Sequence, residues 1–273
     1  MPSNRNTYRG YFPTQPDQQD NLKEGFEIGP PLSPPTRGNA GKAQKFNLAE
    51  PNVWPAEEAF PYGRERLEKL YEELQALSSS LLSLLAISLG KPAGFFTNYL
   101  TDSLSTLRLL HYPPPTNGEI ASADADRKQE VKLCCTPHTD SGILTLLHQD
   151  PTGGLEVRNA AGEWVPASYV PDSIVVNIGD LLASVSGGRF VATTHRVRAN
   201  AGGGARRDGM GRFSMPFFFE PGENCVVRSI DGNNTGMVYG EYVRQKMSTW
   251  VEYQDQPEEG DGLEADRSVA VAA

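Results

Sequence analysis

The stretch TPHTDSGILTLLHQDPTGGLEV, residues 136–157, decides the fold and carries the first candidate site. Its apolar run GILTLLHQ is followed by PTGG at 151–154, a pattern typical of a strand that ends in a turn. His138 and Asp140 are two residues apart, so on an extended backbone their side chains leave the same face. The stretch therefore predicts a β-rich protein with two candidate metal ligands side by side.

Strand-like segments continue on both sides of this stretch. Between Ser105 and Val227 they are LRLLHY, VKLCCT, GLEVRN, SIVVNIG, THRVRA and RFSMPFFFE. Turn residues separate them, and we find no helical pattern between them. Many short strands in this arrangement are typical of an antiparallel sandwich or barrel, such as a jelly roll. We predict a mainly β protein with flanking helices.

The chain divides into four predicted segments. Residues 1–63 are rich in Pro, Gly, Asn and Gln, and we expect either a disordered tail or an irregular arm over a pocket. Residues 64–104 begin with leucines at helical spacing and form a predicted helical scaffold whose first helix stops near Gly90. Residues 105–252 form the predicted β domain, closed by an amphipathic helix from Tyr239. Residues 253–273 are acidic and expected to be disordered.

Composition narrows the possible partners. The chain has 273 residues, a net charge of -9 and no Lys/Arg-rich stripe, which argues against nucleic acid or a membrane as the partner. We therefore expect a small-molecule partner. Its three cysteines show no CxxC spacing, and the chain shows neither a signal peptide nor an apolar run long enough to span a bilayer. We expect a cytoplasmic protein.

His195, in ATTHRV, is the candidate for the third metal ligand. With His138 and Asp140 it makes two imidazoles and one carboxylate, the facial triad of non-haem Fe(II) oxygenases, which leaves coordination positions open. A zinc hydrolase also uses His and Asp. A second group of residues further along the chain favours the triad over the zinc site.

That second group is GRFSMPFFFEP, residues 211–221. Arg212 and Ser214 are two apart, so both point to one face of a strand. An arginine fork binds a carboxylate with two hydrogen bonds, and a serine hydroxyl adds a donor. The flanking aromatic residues predict burial, and a buried arginine needs an anion. The anion is either a protein carboxylate or a small ligand, and the serine favours the ligand.

Together the segments at 136–157, 175–197 and 211–221 resemble, in order and spacing, the isopenicillin N synthase-like branch of the 2-oxoglutarate/Fe(II)-dependent oxygenases. This branch includes plant flavonoid and gibberellin oxygenases and many fungal and bacterial enzymes of secondary metabolism. The resemblance is dense over residues 105–227. It implies a double-stranded β-helix, the jelly roll of this family, with iron at one mouth.

The resemblance also implies a set of site residues and a reaction. His138, Asp140 and His195 would hold Fe(II), and Arg212, Ser214 and Tyr112 would bind 2-oxoglutarate, with O2 as the second cosubstrate. The enzyme would hydroxylate, desaturate or cyclise a small apolar metabolite. One alternative is an oxidase of this branch that does not use 2-oxoglutarate, and another is an inactive family member that acts as a binding protein.

Three further expectations come from the comparison with that family. Leu110 stands where its 2-oxoglutarate users commonly have Asn. Met1 is expected to begin inside the domain, about 80 residues after the usual start. The substrate pocket is expected to be lined by the N-terminal arm, by residues near Leu107 and Leu109, by Phe217 and Phe219, and by the C-terminal helix.

Overall fold

The computed structural model describes residues 9–14, 22–31, 47–48, 50–114, 132–199, 210–232 and 236–248. The strands are β1 (Gly10–Phe12), β2 (Glu24–Ile28), β3 (Thr106–Tyr112), β4 (Leu133–His138), β5 (Leu144–Gln149), β6 (Leu155–Arg158), β7 (Trp164–Pro166), β8 (Val175–Ile178), β9 (His195–Arg198), β10 (Arg212–Phe219), β11 (Val226–Val227) and β12 (Met237–Val238). The helices are α1 (Gly63–Ser88), α2 (Asp180–Val185) and α3 (Tyr239–Met247), and a 3-10 helix covers Thr97–Leu100.

Ten of the twelve described strands form two antiparallel sheets. The larger sheet has the order β1-β2-β3-β10-β5-β8, and the smaller has the order β4-β9-β6-β7. Strands distant in sequence lie side by side, since β10 pairs with both β3 and β5. Strands that pair across such long connections are typical of jelly-roll topology rather than of a simple meander. The predicted mainly β architecture with flanking helices agrees with this arrangement.

Strand β10 shows why the sequence forms this sheet. Its two faces differ in character, because side chains alternate along a strand. Phe217 and Phe219 are fully buried on the outer face, and the Phe217 ring meets Tyr71 of α1 edge-on at 5.2 Å. Arg212 and Ser214, on the opposite face, point toward the space between the sheets. The phenylalanines of β10 thus pack the sheet against α1, and the polar residues of β10 face the space between the two sheets.

Helix α1 packs on the larger sheet through one apolar stripe. Leu67, Tyr71, Leu82 and Ala86 are buried at helical spacing. The Tyr71 hydroxyl donates a hydrogen bond of 2.8 Å to the carbonyl of Ser105, which joins the helix to the start of β3. The predicted stop near Gly90 is confirmed, since the helix ends at Ser88. None of the three α-helices in the described part of the chain has the length and apolar character that crossing a bilayer requires.

Two features of the secondary structure were not predicted. Within residues 1–63, β1 and β2 extend the large sheet beyond β3. The short segment EGFEI carries too little periodicity to stand out, and it becomes a strand because β3 offers a free edge. Helix α2 was not expected either. It is only six residues long, and the carbonyl oxygens of Asp140 and Gly142 accept its first backbone hydrogen bonds. The expected disordered tail at 253–273 lies outside the described residues.

Glu220, just after β10, is a buried carboxyl group that makes stability depend on pH. Burial raises the pKa of Glu220 to about 7 from its ordinary 4.5, although a hydrogen bond from Tyr239 opposes the shift. Because its pKa is higher in the folded state, Glu220 takes up a proton on folding. Its favourable contribution to the free energy of unfolding is therefore complete below pH 4.5 and is lost as the pH rises toward 7.

We expect Glu220→Gln to remove this pH dependence. At pH 8 the variant should be more stable than the wild type by about 2–3 kcal/mol, whereas at pH 4.5 the two should be similar. Urea unfolding at both pH values measures the difference. Glu58→Gln, at an exposed position, is the matched control and should follow the wild type. Equal wild-type and Glu220→Gln stabilities at pH 8 would contradict the expectation.

Candidate functional site

His138 and His195 stand opposite each other on neighbouring strands. His138 ends β4, His195 begins β9, and the two residues are register partners. Their ring centroids are 4.3 Å apart. The register of β4 is irregular between Cys135 and His138, and such a bulge redirects the side chains that follow it. Antiparallel pairing therefore brings together two histidines that are distant in the sequence.

Asp140 completes the group from the loop after β4. Its Oδ1 lies 3.9 Å from Nε2 of His138 and 3.7 Å from Nε2 of His195. Its Oδ2 accepts hydrogen bonds from the Thr145 hydroxyl at 2.6 Å and from the Asn177 amide at 2.8 Å. One carboxylate oxygen is thus fixed by the larger sheet while the other faces the two imidazoles.

The backbone sets the orientation of both imidazole rings. Nδ1 of His138 lies 2.8 Å from the carbonyl oxygen of Thr136, and Nδ1 of His195 lies 3.0 Å from that of Thr193. A carbonyl can only accept, so each Nδ1 carries a proton and each Nε2 turns toward Asp140. One possible ligand atom from each of the three residues lies within 4.8 Å of the others. Two imidazole nitrogens and a carboxylate oxygen suit a divalent transition metal.

The two histidines differ in electrostatic environment. Burial lowers the pKa of His195, and the carboxylate of Asp140 opposes this effect only in part. Burial also disfavours charge on His138, but a hydrogen bond with Cys135 and the charges of Cys135 and Asp140 outweigh it and raise the pKa of His138 to about 9. A metal ion that binds Nε2 of His138 must therefore displace a proton.

Arg212 lies in the same cavity, buried and held by neutral groups. Its Nε donates to the carbonyl of Gly153 at 2.9 Å, and one Nη donates to the Ser214 hydroxyl at 3.0 Å. The other Nη lies 3.4 Å from Oε1 of Gln149. Within the described residues, Arg212 forms no ion pair. Because a buried cation is costly without a counter-ion, this arrangement leaves room for the carboxylate of a ligand.

Tyr112 and Leu110 border Arg212 on strand β3. The Arg212 guanidinium lies 5.0 Å from the centre of the Tyr112 ring, and Tyr112 is the register partner of Arg212. Burial raises the pKa of Tyr112, so its hydroxyl stays protonated and can donate a hydrogen bond. Leu110 is the register partner of Ser214 and contributes only apolar surface to the cavity. The six predicted site residues thus line one cavity.

This cavity lies between the two sheets, opens to solvent and has an internal volume of about 100 Å³. Its wall consists of Lys23, Arg108, Leu110, Tyr112, Cys135, His138, Asp140, Thr145, Leu147, Leu155, Val157, Val175, Asn177, Thr193, His195, Val197, Arg212, Ser214, Pro216 and Phe218. Among the described residues, α3 contributes none of them. Most of the wall is apolar, with polar and charged groups at a few positions.

The predicted pocket lining is correct near Leu107 and Leu109 and for the N-terminal arm, which contributes Lys23, but it is wrong for β10 and for the C-terminal helix. Leu107, Phe217 and Phe219 are buried in the outer core, whereas Arg108 and Phe218 face the cavity. Because side chains alternate, placing Arg212 and Ser214 inside already requires the even-numbered residues of β10 to face inward.

Four polar residues of this site were not predicted from the sequence. Thr145 and Asn177 hold Asp140, and Lys23 and Arg108 line the cavity. Asn177 is the one polar residue of β8, and a lone polar residue in an apolar strand was the available signal. Thr145 stands between leucines in the first half of β5. Lys23 had no comparable signal, since nothing in the sequence showed that this part of the chain joins the sheet.

The chain matches one family model, described as the 2OG-Fe(II) oxygenase superfamily, over residues 103–221. It is 31% identical over 234 residues to a 2-oxoglutarate-Fe(II) type oxidoreductase, ppzC, of Metarhizium majus, covering 83% of this chain and 60% of the relative. It is also 31% identical over 235 residues to a 2-oxoglutarate-dependent dioxygenase, citB, of Monascus ruber. This match covers 82% of this chain and 66% of the relative. The chain thus spans less than two thirds of the length of these curated relatives.

Among solved structures, the fold is similar to full-length Neurospora crassa T7H in complex with alpha-KG. The TM-score is 0.69 with 26% sequence identity, and the match covers 89% of this chain and 72% of T7H. This likeness confirms the predicted jelly roll.

Proposed function

Because this chain belongs to the 2OG-Fe(II) oxygenase superfamily, we propose that it is a non-haem Fe(II) and 2-oxoglutarate-dependent dioxygenase that oxidises a small metabolite. One observation carries the proposal. Three side chains with metal-donor atoms, within 4.8 Å of one another, share a cavity with a buried arginine that has no ion-pair partner among the described residues. A metal site and a carboxylate receptor in one cavity are what a 2-oxo acid cosubstrate needs.

We assign His138, Asp140 and His195 as the iron ligands. Both imidazoles offer Nε2 to the metal because their Nδ1–H groups are directed to backbone carbonyls. Thr145 and Asn177 hold Oδ2 of Asp140, so Oδ1 of this carboxylate faces the two Nε2 atoms. Partners of this kind keep ligands in place before the metal arrives, and they strengthen metal binding. Three protein ligands leave further positions open for cosubstrate and O2.

Arg212, Ser214 and Tyr112 bind the far carboxylate of 2-oxoglutarate in this proposal. Two of the Arg212 nitrogens are already oriented by Gly153 and Ser214, so little side-chain freedom is lost on binding. When bound, Fe(II), 2-oxoglutarate and O2 supply the chemistry: oxidative decarboxylation to succinate and CO2, coupled to oxidation of a substrate C–H bond. The protein positions the reactants and excludes water from them.

A small substrate fits the remaining space. Leu147, Leu155, Val175 and Phe218 provide apolar wall next to the proposed metal site, as expected for a pocket that takes a small molecule. We further propose a cytoplasmic enzyme of secondary metabolism. The assignment to secondary metabolism follows from the family resemblance. Cys134, Cys135 and Cys225 form no disulfide among the described residues, which suits a reducing compartment.

We expect succinate to form from 2-oxoglutarate in step with product when the protein is supplied with Fe(II), O2 and a panel of small metabolites. The measurement is succinate and product by mass spectrometry, with His195→Ala as the control that should form neither. Product without succinate would support the oxidase alternative instead. Neither succinate nor product, from a protein that still binds iron, would support the binding-protein alternative.

A further inference from the structure

The cavity is positively charged, in contrast to the chain as a whole. The net charge of the chain is -9, yet the cavity wall contains three cationic side chains and one carboxylate, that of Asp140. A divalent metal and dianionic 2-oxoglutarate would cancel each other's charge. Among the described residues of the wall, positive charges then outnumber negative ones, in a site with apolar walls where charges interact strongly.

One of these cations, Arg108, lies away from the carboxylate receptor. Arg108 precedes Tyr112 by four residues on β3, which corresponds to about 13 Å along the strand. Tyr112 is the register partner of Arg212, so the two arginines sit at different levels of the cavity. Lys23 lies near Arg212 instead. It precedes Glu24, which pairs with His111, and its charge acts on the neighbouring Tyr112. The cavity therefore has two separate cationic positions.

The Arg108 side chain is held in a defined position. Its Nε donates to Oε2 of Glu27 at 2.6 Å, and its guanidinium carbon lies 5.5 Å from the ring centres of both Phe12 and Phe218. Glu27 also accepts a hydrogen bond of 3.1 Å from Arg9 through its other oxygen. The carboxylate of Glu27 is thus shared by two guanidinium groups. Glu220 also interacts with this cluster, so the net charge of the cluster is positive while Glu220 is protonated, below its pKa of about 7.

Arg108 is also at a suitable distance from the proposed metal site. Thr145, which contacts Asp140, is on β5, and β10 alone separates β5 from β3. Two strand spacings put about 10 Å between the two backbones. The cavity-facing residues between them are apolar: Leu147, Pro216 and Phe218. A molecule bound there would rest its apolar body on this surface, with one end at Arg108 and the other near the metal.

We propose that the substrate is a small apolar carboxylic acid whose carboxylate binds Arg108. This inference rests on the proposed dioxygenase function and adds the class of the substrate and a residue that selects it. Glu27 orients the guanidinium, Phe218 supports both the guanidinium and the apolar body, and the reacting carbon lies at the end away from the carboxylate. A charge-assisted hydrogen bond in this setting favours the acid over its neutral amide.

The test is equilibrium binding of aliphatic and aromatic monocarboxylic acids of six to sixteen carbons, each compared with its own amide. Protein saturated with Mn(II) and 2-oxoglutarate is used for isothermal titration calorimetry. We expect at least one acid to bind ten times or more tightly than its amide. Arg108→Gln should bind that acid as weakly as the amide, and Arg108→Lys should keep part of the preference.

Arg158→Gln, an exposed arginine on β6, is the matched control and should keep the full preference. Unchanged 2-oxoglutarate affinity in Arg108→Gln establishes that this variant is folded, since Arg212 and Ser214 are intact. A preference for acids that survives in Arg108→Gln, or a panel in which no acid binds better than its amide, would overturn the proposal. If the wild type does not bind 2-oxoglutarate with metal at all, the proposed function fails first, and that failure is recorded by the same titration.

Discussion

Replacing Asp140 by alanine is expected to weaken Fe(II) binding at least a hundredfold. Asp140 supplies the single carboxylate of the proposed ligand set, and its Oδ1 lies within 4 Å of both histidine Nε2 atoms. Loss of residues that merely orient metal ligands already costs ten- to a hundredfold in affinity, so loss of a ligand should cost more. Anaerobic equilibrium titration with Fe(II), or with Mn(II) as a stable substitute, measures the effect.

Two further variants separate metal binding from folding. Asp140→Asn keeps a carbonyl oxygen for Thr145 but has no charge, and we expect it also to bind metal poorly while unfolding at a temperature close to that of the wild type. Asp231→Ala removes a surface carboxylate that pairs with Arg189 and should leave metal affinity unchanged, because exposed pairs contribute little. Metal affinity in Asp140→Ala equal to that of the wild type would mean that the metal, if any, binds elsewhere.

Replacing Arg212 by methionine is expected to raise the Kd for 2-oxoglutarate about a hundredfold. The change removes two or more charge-assisted hydrogen bonds to the ligand carboxylate while keeping an unbranched side chain of similar length. Ser214 remains and accounts for the residual affinity. Calorimetric titration of 2-oxoglutarate into the Mn(II)-loaded protein measures the change.

The same titration with Arg189→Met provides the control. Arg189 is bidentate to Asp231 at 2.9 Å on the surface, so its loss should not affect 2-oxoglutarate. Metal affinity should be the same in Arg212→Met as in the wild type, because Arg212 contacts none of the proposed ligands within the described residues. An unchanged Kd for 2-oxoglutarate in Arg212→Met would exclude this arginine as the carboxylate receptor.

The sequence was sufficient to predict the metal group and most of the strands. The HxD spacing puts His138 and Asp140 on one side of an extended segment, and short apolar runs between turn residues mark β3, β5, β8 and β10. These features are local, since they depend on side-chain alternation and on turn chemistry. The third member, His195 in ATTHRV, was the sequence's candidate for a ligand from another strand, and antiparallel pairing of β4 with β9 is the physical reason that it reaches the group.

The parts that could not be predicted depend on tertiary pairing. Strand β2 is a strand because the edge of β3 is available, so neither Glu27 nor Lys23 could be placed beside the cavity from the sequence. Helix α2 needs carbonyl groups from the loop around Asp140 to start it. The mistaken inward placement of Phe217 was avoidable, because Arg212 and Ser214 fix which positions of β10 face inward.

Anaerobic difference spectroscopy of the wild type with Fe(II) and 2-oxoglutarate tests the proposed site most directly. We predict a weak visible absorption band that requires both additions, saturates at one equivalent of iron and is absent in His195→Ala. The band reports metal and 2-oxo acid bound together, and it needs neither a substrate nor turnover. Iron bound without the band would contradict 2-oxoglutarate as the cosubstrate, and a band of full intensity in His195→Ala would contradict the ligand assignment.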